Sequence, residues 1–164
     1  MTISPMKSVD QVAVVVRDLD EAMRRYSEKL GIAPWSVYTF SPEWIRNMTF
    51  RGREQPYSMK LALGQIGHVM YELIEPLDGP NSYQEFLDTR GEELHHLGFF
   101  VEDLDAAIAE MESQGFSVLQ SGRAFGVDGD GGYAYFDTDG VLGCIVEAIE
   151  MPNTIPDPER TYPA

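Results

Sequence analysis

Gln11-Val-Ala-Val-Val-Val-Arg-Asp-Leu-Asp-Glu-Ala22 returns later in the chain as His96-Leu-Gly-Phe-Phe-Val-Glu-Asp-Leu-Asp-Ala-Ala107, at an offset of 85 residues (96 − 11 = 85). A second echo pairs Tyr71-Glu-Leu-Ile-Glu75 with Val146-Glu-Ala-Ile-Glu150, offset by 75 (147 − 72 = 75). Each half thus opens an apolar strand with a metal-capable side chain, and each carries a glutamate on a later apolar strand. Two copies of one module, donating two ligands apiece, predict a shared four-ligand centre.

Around these anchors the elements follow in order. The β-branched run 12–16 suits a buried strand. Asp18, with Glu21 three residues on, starts a helix whose apolar stripe is Leu19, Ala22, Met23, Tyr26 and Leu30, and Gly31 stops it. Strands are expected at 35–41, 45–52, 57–63 and 67–75, with 42–52 readable as strand or helical turn. The first module, 8–76, therefore reads βαβββ. Pro76 to Pro80 breaks the chain, and a short helix from Asn81-Ser82 to about Asp88 sits in the linker 77–93. The second module, 94–150, repeats the plan: a strand at 95–102, a helix at 103–114 ended by Gly115, and strands near 116–121, 132–138 and 143–150. A tail, 151–164, holds four prolines and is expected on the surface or against a partner. The prediction is one α+β domain over 1–164, built from two tandem βαβββ modules.

Composition narrows the function. Acidic residues outnumber basic ones 27 to 12, a net charge of −15, which excludes a nucleic-acid binder that must neutralise phosphates. Arg46, Arg51, Arg53 and Lys60 crowd one stretch and read as a solvated surface. A single cysteine, Cys144, rules out an intrachain disulfide, and no apolar run approaches 18 residues, so a cytoplasmic, non-membrane protein is expected. Cys144 itself reads as a small core residue. The loop 126–132 alternates Asp and Gly but lacks the bidentate Glu of an EF-hand, and reads as a flexible loop beside a pocket mouth. No Gly-Lys-Ser/Thr phosphate loop occurs.

Strand alternation assigns faces. Gln11 shares a side with Ala13 and Val15, His96 with Gly98 and Phe100, Glu72 with Met70 and Ile74, and Glu147 with Ile145 and Ile149. Directed inward, Gln11, Glu72, His96 and Glu147 bring four polar groups onto apolar faces. An unpaired buried carboxylate costs several kcal/mol, so two of them want a cation. The mixed set suits one divalent ion, Zn, Ni, Co, Mn or Fe. By the same alternation His95 falls on the opposite face.

This arrangement resembles the vicinal oxygen chelate superfamily of glyoxalases, bleomycin-resistance proteins and extradiol dioxygenases, over residues 8–150. The resemblance implies paired βαβββ sheets forming a cup around one metal, with Gln11 and His96 opening the first strands and Glu72 and Glu147 on the last. Glu72-Leu-Ile-Glu-Pro76, Phe86-Leu87, Leu94-His-His-Leu97 and Val101-Glu-Asp-Leu104 look most like methylmalonyl-CoA epimerase-type members, although those usually carry His where Gln11 stands. The Gln/Glu/His/Glu set is instead similar to that of glyoxalase I, while Val15 replaces that enzyme's glutathione-holding arginine. The activity implied by the resemblance is that of an epimerase, isomerase or lyase moving a proton beside a carbonyl of an acyl-thioester or α-oxygenated compound, with Glu147 as base and Glu72 as its partner. The alternatives are a glyoxalase I-like lyase and a non-enzymatic antibiotic-binding protein. A homodimer is implied. Lys60, Phe100, Arg123 and Tyr133 are the substrate-binding candidates, with His68 as a further one; Trp35, Trp44, Tyr57 and Phe125 are candidate wall aromatics.

Overall fold

A computed structural model describes residues 6–163; the outermost residues of the expected domain, 1–5 and 164, lie outside them. The fold is α+β. The first half runs β1 (Gln11–Val15), α1 (Leu19–Leu30), β2 (Trp35–Phe40), β3 (Arg46–Phe50), β4 (Arg53–Glu54), β5 (Met59–Ile66) and β6 (Val69–Pro76). After α2 (Ser82–Arg90) the second half runs β7 (Leu94–Phe100), α3 (Leu104–Ser113), β8 (Val118–Phe125), β9 (Gly131–Phe136), α4 (Asp139–Leu142) and β10 (Ile145–Glu150). A last strand, β11 (Arg160–Tyr162), lies in the tail.

The repeat is visible in the topology. The order β2-β5-β6-β1 in one half matches β8-β9-β10-β7 in the other, and β1 pairs antiparallel with β7 to join them into one sheet. Asp18 and Asp103 cap α1 and α3 by accepting from the amides of Glu21 and Ala106, contacts worth about 1 kcal/mol each. The second glutamate of each echo has a matched duty: Glu75 accepts from the Leu19 amide at 2.8 Å and Glu150 from the Leu104 amide at 3.0 Å. Carboxylates at helix N-termini oppose the helix dipole favourably. In the linker helix Asn81 caps, its side chain accepting from the Gln84 amide.

Helices α1 and α3 cover the outer face of the sheet, each over its own apolar cluster. Trp35, Leu73 and Met23 pack under α1, and Phe136, Val146 and Met111 under α3, where Cys144 joins as a partly buried neighbour. The inner faces share a third cluster. Two expectations need correcting and one is extended. The strand at 46–50 does not belong to its own module: after a turn at 42–44 it crosses and pairs with β8, at the far edge of the sheet. The tail does not merely lie on the surface, since β11 pairs antiparallel with β2. The loop 126–132 is tied down, with Val127 donating to the Thr154 carbonyl and Asp130 accepting from the Asn153 amide at 3.1 Å. Loop and tail together form a strap over the inner face.

Candidate metal centre

The central strands β6, β1, β7 and β10 lie side by side, and their register forms two adjacent rows. One row reads Glu72, Ala13, His96, Ile145; the next reads Met70, Gln11, Gly98, Glu147. The four polar residues therefore alternate like squares on a chequerboard, and the repeat-related small residues Ala13 and Gly98 fill the gaps. The smallness is required. A Cβ on Gly98 would come within 2.8 Å of both Cβ and Oε1 of Gln11 and 3.0 Å of Ile149.

All four side chains are buried, with His96 fully enclosed. Its Nε2 lies 2.9 Å from Glu147 Oε2, 3.1 Å from Gln11 Oε1 and 3.5 Å from Glu72 Oε2. The Gln11 amide nitrogen turns the other way, to Met70 Sδ at 3.4 Å, which aims the oxygen at the centre. Burial alone would push the His96 imidazolium down, but Glu147 and then Glu72 overrule it and hold its pKa up at about 9. The Glu72 carboxyl is raised by burial, against the pull of His96, with Glu147 adding to the rise.

Those residues fit a divalent ion. Glu147 Oε2 is buried and has no hydrogen-bond partner, although it sits in ion-pair range of His96. Separations of about 3 Å are what oxygen and nitrogen ligands at about 2.0–2.2 Å from one ion leave between themselves. Among the described residues no group of three or more His, Cys, Asp or Glu side chains stands in metal-holding geometry. Here the imidazole leans on the carboxylates instead, and an amide oxygen completes the set.

His95 overturns its expected face. The β1–β7 ladder slips between Ala13 opposite His96 and Val14 opposite Leu94, leaving His95 as the extra residue of a bulge. Its ring is buried on the inner side against Tyr83, Phe86 and Tyr135, and its Nδ1 is 2.9 Å from Nδ1 of His96. Burial and the neighbouring His96 hold its pKa well below the usual value, so it is neutral. It can accept the Nδ1 proton of His96, which leaves Nε2 for the centre.

Above the donors opens a cavity of about 670 Å³, counting the space at its mouth, walled by Phe40, Met59, Leu61, Leu63, Tyr133 and Phe125. The strap contributes Met151, Ile155 and Pro156 to it. Tyr133 is where the sequence suggested. Three other candidates are not. Lys60 alternates with Met59 and Leu61 and so points outward, exposed. Arg123 leans on α3 and pairs with Asp105. Phe100, at the end of β7, is 37% exposed and outside the cavity. His68 is also exposed, in the turn between β5 and β6. Of the aromatics, Phe125 lines the wall, Tyr57 lies behind it, Trp35 is core under α1, and Trp44 stands exposed near the mouth.

Sequence reasoning missed two tyrosine pairs. Tyr57 and Tyr133 share a 2.7 Å hydrogen bond, and Tyr83 donates to Tyr135 at 2.8 Å. Burial raises all four phenols, keeping them protonated. Tyr135 is the register partner of Glu147, and the Tyr133-Ala-Tyr135 alternation on β9 is the signal that could have found it.

The duplicated sheet is accompanied by a family match over residues 10–136: the chain belongs to the Glyoxalase/Bleomycin resistance protein/Dioxygenase superfamily. Among its relatives is the uncharacterized protein YqjC of Bacillus subtilis, 24% identical over 145 residues, which cover 88% of this chain and 93% of that one. Similar solved structures include methylmalonyl-CoA epimerase from Mycobacterium tuberculosis, 24% identical with a TM-score of 0.66, covering 93% of each chain. A methylmalonyl-CoA epimerase in complex with methylmalonyl-CoA and NH4+ is 19% identical with a TM-score of 0.67, covering 92% of this chain and 99% of that one. At these identities the likeness shows the fold. Among the described residues no helix is long and apolar enough to cross a membrane.

Proposed function

We propose that this protein is a metal-dependent epimerase or isomerase that moves a proton on and off the carbon beside a carbonyl. The observation that carries the reading is the chequerboard of Gln11, Glu72, His96 and Glu147 buried at the floor of an apolar cavity. Gln11, Glu72, His96 and Glu147 would hold a divalent ion, which when bound would supply Lewis-acid polarisation of the carbonyl oxygen. Glu147, which lines the cavity, accepts the α-proton as the C–H bond breaks and its electron pair moves toward the carbonyl oxygen. Glu72 and Glu147 flank the β1–β7 pair from opposite sides, so one can take a proton and the other return it to the opposite face of the carbon. The apolar walls exclude water that would otherwise compete for that proton. The epimerase likeness of the fold favours this over a glyoxalase I-like lyase, and the buried carboxylates favour an enzyme over a metal-free binding protein.

The test is α-proton exchange in D₂O by the metal-loaded protein, followed by proton NMR on a panel of acyl-CoA and α-hydroxycarbonyl compounds. Wild type should exchange at least one of them, and Glu147→Gln should keep the fold and lose the exchange. Exchange undiminished in Glu147→Gln would remove that residue from the mechanism.

A further inference from the structure

We infer that the site takes an uncharged, largely apolar α-oxygenated carbonyl compound, and not a carboxylate-bearing acyl group or a polyanionic thioester. The inference rests on the proton-transfer reading and narrows its substrate. Its first support is the cavity wall. Among the described residues lining it there is no Lys or Arg, and apart from the donors the polar groups are the tyrosine hydroxyls of Tyr38, Tyr133 and Tyr135. A substrate carboxylate would be desolvated there with no cation beside it, a cost of several kcal/mol that a neutral group avoids.

The floor offers no spare positive charge either. Glu72 and Glu147 balance both charges of a divalent ion, so an anionic substrate would leave the centre net negative. Of the basic residues nearby, Arg123 pairs with Asp105, Arg51 with Glu85 and Arg160 with Asp20, Lys60 faces out, and none lines the cavity. The entrance repeats the pattern. A hollow beside the mouth shares Tyr38, Phe40 and Phe125 with the cavity and adds Trp44, Asp157 and Glu159. Trp44 is 66% exposed there, an aromatic platform in an acidic rim. On a chain of net charge −15, that rim repels a phosphate-bearing carrier and favours an apolar or aromatic tail.

The experiment compares three probes on metal-loaded protein: 2-hydroxy-1-phenylpropan-1-one, its ring 4-carboxylate, and methylmalonyl-CoA. Affinity is read by calorimetry and α-proton exchange by NMR in D₂O. The neutral ketone should bind at least about tenfold more tightly than its carboxylate, with methylmalonyl-CoA weaker still. Ile155→Lys, an exposed strap position on the cavity wall, should narrow the neutral-to-carboxylate ratio by about threefold or more. Preference for either anion, binding of none of the three, or a ratio unmoved by Ile155→Lys would overturn the inference. Preferential binding of the ketone without exchange would uphold the ligand class while removing the proton-transfer reading.

Discussion

Gly98→Ala tests the centre without touching any donor. The added Cβ would stand 2.8 Å from Gln11 Cβ and Oε1 and 3.0 Å from Ile149 Cδ1, whereas carbon contacts settle at about 3.5–4.0 Å. Between about 0.5 and 1 Å must therefore be gained. β7 is paired on both sides, with β1 and β10, so the strand cannot back away. Rotating the Gln11 side chain relieves the contact at Oε1 and takes that oxygen off the centre, while the contact at Gln11 Cβ must be absorbed by a small shift of β1 against β7. Overpacking of this kind costs about 1–3 kcal/mol of stability. Metal affinity should fall roughly 10–100-fold, the range seen when the support of a ligand is lost. Titration against a chromophoric chelator reads the affinity, and denaturant unfolding of metal-free protein reads the stability. Gly64→Ala is the control, because its Cβ would strike Ile32 and Trp35 under α1, on the other face. It should lose stability and keep affinity. Metal affinity unchanged in Gly98→Ala, or lowered equally in Gly64→Ala, would refute the reasoning.

His95→Phe keeps an aromatic ring among Tyr83, Phe86 and Tyr135 but removes the acceptor for His96 Nδ1, so metal affinity should drop roughly 10–100-fold with little loss of fold, as the same chelator titration would show. In metal-free protein the His96 pKa is raised from 6.5 to about 9 by its carboxylates, so its contribution is fully present below about 6.5 and is lost as pH rises through 9. Denaturant unfolding of metal-free protein should accordingly weaken by up to a few kcal/mol between pH 6.5 and 9.5, and His96→Gln should flatten that slope. A ligating His96 must surrender its proton, so loading the ion at pH 7.5 should release about one proton per chain, measurable by calorimetry in buffers of different ionisation enthalpy.

Much of this was legible in the sequence because it is local or repeated. The 85-residue echo set the two modules, the Asp18–Glu21 spacing fixed the start of α1, and strand parity brought Gln11, Glu72, His96 and Glu147 to one face. What stayed hidden depends on contacts distant in sequence or on broken periodicity. Nothing in residues 46–50 announces a pairing with β8 some seventy residues on (Thr49 opposite Ser121). The bulge at His95 defeats parity, which assumes an unbroken ladder. The charges of Lys60 and Arg123 say nothing of where they point, which alternation on β5 and the partner Asp105 decide. The strap depends on Glu159 accepting from the Thr39 amide at 2.8 Å, 120 residues back along the chain.

The most direct measurement is the metal content of untagged protein, as isolated and after incubation with zinc, nickel, cobalt, manganese or iron followed by desalting. The proposed centre predicts about one divalent ion per chain, lost in His96→Gln and in Glu147→Gln while both variants remain folded. Protein that retains no ion under any of these conditions, or variants that hold it as tightly as wild type, would contradict the four-donor centre on which the proposed chemistry stands.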